Sequence, residues 1–249
     1  MSLQPFFNRE FTPAEAGRKV AMKKRTYYIP IFYDCLLTMG IPLNVVFVAA
    51  AVGIREWISY KPVLLLYGLL AVLYWTAVLV LGVANILISF RKYNLGDDIY
   101  CVNAMLILKY GLVCFFILNF LVLSLIGVVA LVGSRGTILF IFPLILPVVF
   151  FWVAITWLLM LPGSFYGIQV IRLGKAQGRF IRAAEKTPEQ GKIAVLHGIL
   201  QFIFLLDVLD AMYLAVMKWK MGKKSSILVG GLYAAFLAGI ATLFSFMAK

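Results

Sequence analysis

Asp207 and Asp210 are the residues of this sequence best suited to do chemistry. They form a D-x-x-D pair inside an apolar run, residues 193–217. On a helix they would stand about 4.5 Å apart along the axis, on neighbouring faces. A carboxylate at membrane depth must pair, take a proton or meet water. Two acids this close also couple their titrations. Such a pair could serve as an ion or proton site. The plainer reading makes them structural partners of basic residues, or two acids on a wet interfacial face. The spacing alone favours the plainer reading.

Few other side chains compete. His197 lies ten residues before Asp207, about 15 Å along one continuous helix, too far for contact. Lys109 sits at the start of an apolar segment and is expected to snorkel from the membrane edge. Asp34, one turn inside the first apolar segment, is expected to reach Arg25 or an interfacial lysine. Asp97-Asp98 fits helix-start chemistry better than a cation site. Asn44, Asn85, Asn103, Asn119 and Gln169 read as interhelical hydrogen-bonding residues. Cys35, Cys101 and Cys114 include no C-x-x-C pair and read as small apolar residues. No nucleotide loop, H-E-x-x-H or G-x-S-x-G motif occurs. No cofactor, metal or nucleic-acid partner is expected, and the balance tips away from an enzyme.

The elements that must carry these residues follow from composition. Of 249 residues, 63% are hydrophobic and 13% charged, with a mean hydropathy of +0.99. Soluble domains average about 45–50% and about 25%. A soluble chain of this size cannot hide so much apolar surface, and disorder needs the opposite composition. The expected fold is an all-α, polytopic transmembrane helix bundle forming a single domain over residues 27–249. It would hold six long helices, five or six of them spanning. Residues 1–26 read as a basic tail with a short juxtamembrane helix, started by the capping sequence Thr12-Pro13-Ala14-Glu15.

The segments expected from hydropathy are Tyr28–Ile54, Pro62–Phe90, Tyr110–Val132, Thr137–Leu161, Ile193–Met217 and Ile227–Met247. Pro42 predicts a kink in the first. Pro143 and Pro147 predict an irregular start to the fourth, and Pro162-Gly163-Ser164 a break at its end. A tight turn is expected at Gly133–Gly136. Gly231, Ala235 and Gly239 form a small-residue line along the sixth segment, suited to close approach of another helix. Gly163 and Gly167 make a second G-x-x-x-G, placed in the expected break.

Charge placement questions the fifth segment. Net charge is +13, and Lys and Arg favour the cytoplasmic side. With six spans and a cytoplasmic N-terminus, 15 Lys and Arg fall inside and 7 outside. If the fifth segment does not cross, 18 fall inside and 4 outside. Insertion energy does not decide it. Fourteen Leu, Ile, Val and Phe residues favour insertion by about 4–8 kcal/mol, and the two aspartates oppose it by about 5–7 kcal/mol. Lys23, Lys24, Arg25, Arg179 and Arg182 are expected to meet anionic lipid headgroups.

Three functions fit this sequence. The first is a non-enzymatic accessory or scaffold component of a membrane complex, partnered by a second copy or another membrane protein. The second is a small permease or ion-coupled transporter using Asp207 and Asp210. The third is an intramembrane lipid-modifying enzyme. The bacterial cell membrane is the expected location.

Overall fold

The computed structural model describes residues 26–54, 60–178, 189–203 and 206–247. They are almost entirely helical, and no strand occurs among them. The helices are α1 (Tyr28–Ile54), α2 (Tyr60–Asn94), α3 (Asp98–Gly133), α4 (Ile138–Ala176), α5 (Glu189–Leu200), α6 (Leu206–Tyr213) and α7 (Lys223–Met247). A π-helical turn, Leu214–Lys218, extends α6. The all-α bundle expected from composition is therefore present. Four helices contain stretches long and apolar enough to cross a membrane: Tyr28–Ala50, Lys61–Asn94, Asp98–Gly133 and Phe150–Ala176. The chain is a membrane protein.

The ends of these helices follow local chemistry. Asp97 caps α3, its Oδ1 accepting from the Tyr100 amide at 3.2 Å, while Lys92 Nζ lies 3.2 Å from its Oδ2. The Gly133–Gly136 turn occurs as expected, with Arg135 and Gly136 at positive φ. The juxtamembrane helix and the basic residues Lys23, Lys24, Arg25, Arg179 and Arg182 lie outside the described residues.

Two boundaries differ from expectation. The semi-polar lead-in at 98–109 is helical, so α3 begins well before Tyr110 and carries Lys109 into its interior. The break at Pro162-Gly163-Ser164 is absent, and α4 continues to Ala176. Proline removes one amide donor and crowds the preceding turn. In α4 a donor from α1 reaches that turn. Tyr33 Oη donates to the Leu159 carbonyl at 3.0 Å. Neighbouring helices and hydroxyls commonly rescue membrane prolines in this way.

The largest correction concerns the fifth expected helix. It is not continuous. α5 ends at Leu200 and α6 starts at Leu206. Their 12 and 8 residues rise about 18 and 12 Å, too little for a core of about 30 Å. Among the described residues the six long helices expected are thus five, with a hairpin of two short helices in place of the fifth expected segment.

The core lies at one end of the bundle. α3 packs on α4 and α1, and α2 on the same two helices. Buried residues concentrate in Tyr100–Leu108, Leu159–Ile171 and Ala211–Trp219. Toward the other end the same long helices expose Leu65, Val72, Val128, Val132 and Phe151.

Candidate functional site

Lys109 organises the buried end. Its side chain is fully buried. An ammonium has three donors, and each finds an acceptor: Asp207 Oδ2 at 2.8 Å, Ser164 Oγ at 3.1 Å and the Gln201 carbonyl at 3.1 Å. Ser164 Oγ also lies 2.6 Å from the same Gln201 carbonyl. That carbonyl belongs to the break between α5 and α6, and the ammonium and the hydroxyl both donate to it.

The second aspartate is held separately. His197 Nδ1 pairs with Asp210 Oδ1, and Gln201 Nε2 donates to Asp210 Oδ2 at 2.5 Å. The His197 ring also stacks on Tyr213, with centroids 5.4 Å apart. The break folds α6 back on α5, closing a thirteen-residue separation that a straight helix would leave about 20 Å long.

Glycine makes this packing feasible. A Cβ at Gly167 would collide with the Gln201 side-chain amide, and one at Gly163 would stand 3.2 Å from Lys109 Cε. The G-x-x-x-G of α4 is therefore a floor that two side chains cross.

The hairpin is inverted relative to a soluble amphipathic helix. Its polar residues face the protein: His197 is 9% exposed, Gln201 0%, Asp207 3% and Asp210 5%. Its apolar residues face outward: Val195 is 62% exposed, Ile199 54% and Met217 65%. A cavity of about 360 Å³ between α3, α4, α6 and α7 reaches Asp207, with Asn119, Thr156 and Tyr233 also on its wall.

The candidates therefore divide. Asp207 and Asp210 belong to one buried network, linked through Gln201, whose carbonyl accepts from Lys109 and whose side chain donates to Asp210, but each has its own partners. Lys109 does not snorkel; it is the buried partner of Asp207. The sequence does not disclose this pairing, because α3 starts earlier than its apolar run and the partner lies 98 residues away. Asp34 was expected to be satisfied at the membrane edge. Its Oδ1 is buried without a hydrogen-bond partner. Gly231, Ala235 and Gly239 are exposed on α7, and nothing stands within 4 Å of where a Cβ would sit on either glycine.

These features define the class: a helical membrane protein with an inverted hairpin clamped by the buried Lys109–Asp207 and His197–Asp210 contacts. The chain belongs to the family of unknown function DUF6652, which matches residues 33–221. The matched stretch contains Asp34, Lys109, Ser164, His197, Gln201, Asp207 and Asp210, and ends before α7. No curated protein and no solved structure matches the chain.

Proposed function

We propose that the protein is a non-enzymatic accessory or scaffold component of a membrane complex. One observation supports this above others. The ionisable groups at its centre, Lys109 with Asp207 and His197 with Asp210, are engaged with one another. Lys109, with Ser164, fastens the hairpin to α3 and α4, and the His197–Asp210 contact holds the hairpin on itself, so both serve architecture. The line Gly231, Ala235 and Gly239 on exposed α7 is the surface offered to another membrane helix, from a second copy or a different protein.

The topology that goes with this reading has five spans, with α7 as the fifth and the hairpin dipping into one leaflet. Its outward apolar face and the 18-to-4 distribution of Lys and Arg support that arrangement. The N-terminus is then cytoplasmic, in the bacterial cell membrane. Lys23, Lys24, Arg25, Arg179 and Arg182 meet anionic headgroups.

The test is crosslinking in native membranes with a single cysteine placed by Ala235→Cys in a variant lacking Cys35, Cys101 and Cys114. A discrete crosslinked species is expected, lost when Gly231→Leu and Gly239→Leu widen the face. A monomer alone, in both membranes and mild detergent, would sink the scaffold reading.

An ion-coupled transporter is the second reading. The helix break beside Asp207, with a cavity reaching that carboxyl, favours it. It predicts that Asp207→Asn alters proton-driven flux in reconstituted vesicles. Unaltered flux would remove Asp207 as the coupling group.

A further inference from the structure

Asp34 differs from the other described aspartates. Asp207 and Asp210 have cationic or amide partners. Asp97 caps a helix and meets Lys92. Asp98 accepts from the Ile99 amide and from Gln177. Asp34 has no such bond. It is 8% exposed, and its Oδ1 is fully enclosed without a donor.

Its position is fixed from both sides. Tyr33 and Leu37, each 1% exposed, hold this face of α1 in the core, and Tyr33 Oη is bonded to α4. The carboxyl rests against Gly111 of α3, where any Cβ would collide with it. Among the described residues the surroundings offer no free cation. The titratable groups on the neighbouring faces are Tyr33 itself, Tyr74 of α2, and Tyr110 and Lys109 of α3. Tyr74 donates to the Leu36 carbonyl, and Tyr110 pairs with Ser226. Lys109 is committed to Asp207, Ser164 and the Gln201 carbonyl.

A bare carboxylate cannot remain in such a place. Without a counter-ion or donors it must bind a proton or draw in a cation. Gly111 presses on one side of the carboxyl, and a proton is the counter-charge that needs no further ligand there. We infer that Asp34 is a proton-binding site within the membrane-embedded part of the bundle, held as a carboxylic acid and open to slow proton exchange. This site is separate from the Lys109–Asp207 network and does not depend on the scaffold reading.

A protonated carboxyl in an apolar setting has a diagnostic reaction. Its O–H adds across one C=N bond of a lipid-soluble carbodiimide, the oxygen bonding to carbon and the proton passing to nitrogen. Acyl migration to nitrogen then gives a stable N-acylurea, with nothing lost. The full-length protein in vesicles is treated with dicyclohexylcarbodiimide across a pH series and mapped by peptide mass spectrometry. Modification is expected on the peptide containing Asp34, falling as pH rises and absent in Asp34→Asn. A water-soluble carbodiimide should leave it untouched. Gly111→Ala, which crowds the same carboxyl, should lower the yield and keeps the test alive if Asp34→Asn does not fold. Modification of Asp207 or Asp210 instead, or none at Asp34 in folded wild-type protein, would overturn the inference.

Discussion

The two ends of this bundle handle an apolar sequence in opposite ways. At one end, Tyr100–Leu112 of α3, Met160–Ile171 of α4 and the hairpin close around Lys109, and the protein supplies every partner that ammonium needs. At the other, α1, α2 and α3 present Val46, Leu65, Val72 and Val128 outward. The first end is completed from within. The second is completed by whatever apolar phase surrounds it. Apolar residues alone do not locate a core in a membrane protein, because lipid tails are as apolar as leucine. What marks the core here is buried polarity, tied together across distant parts of the chain.

The comparison breaks most visibly if the ion pair is opened. Asp207→Leu strands a buried ammonium and should cost about 3–5 kcal/mol. Adding Lys109→Met should recover most of that loss, since a buried pair is often replaceable by apolar side chains. Unfolding of the purified variants in detergent reads both effects. A double variant as damaged as the single would mean the network does more than neutralise itself. The opposite end should be sensitive to the reverse change. Val128→Lys puts a charge on an exposed apolar face, and apparent insertion of that helix should worsen by about 3 kcal/mol. Unchanged insertion would show that this face does not meet hydrocarbon.

A smaller effect sharpens the contrast with one substitution made twice. Gly167→Ala drives a methyl into the Gln201 amide and should cost about 1–3 kcal/mol. Gly127→Ala in α3 meets nothing within 4 Å. It should be neutral, or stabilise by up to about 1 kcal/mol through helix propensity. Equal thermal shifts for the two variants would erase the distinction between the ends.

How much of this was legible in the sequence depended on range. α1 matches its expected bounds, and the Gly133–Gly136 turn and the Asp97 cap were readable, because each is decided within a few residues. Asp207 and Asp210 were recognisable as unusual from their setting alone. Their partners were not. On a straight helix His197 stands too far from Asp207 for contact, and nothing in the apolar run 193–217 signals the break at Gln201. Pro162 gave a false break because the groups that relieve it include Tyr33, 129 positions earlier. The clue that survived was the charge distribution, which disfavoured a crossing fifth segment.

The Lys109–Asp207 bond also sets an order on biosynthesis. Chains emerge N-terminus first, so α3 and its lysine enter the bilayer about 98 residues before the matching carboxylate exists. During that interval the nascent protein carries an unneutralised ammonium, a recognisable mark of incompleteness. A ribosome stalled before Asp207, or a message cut short there, would leave that mark permanently in place. The hairpin is thus the latch by which a finished chain differs from a fragment.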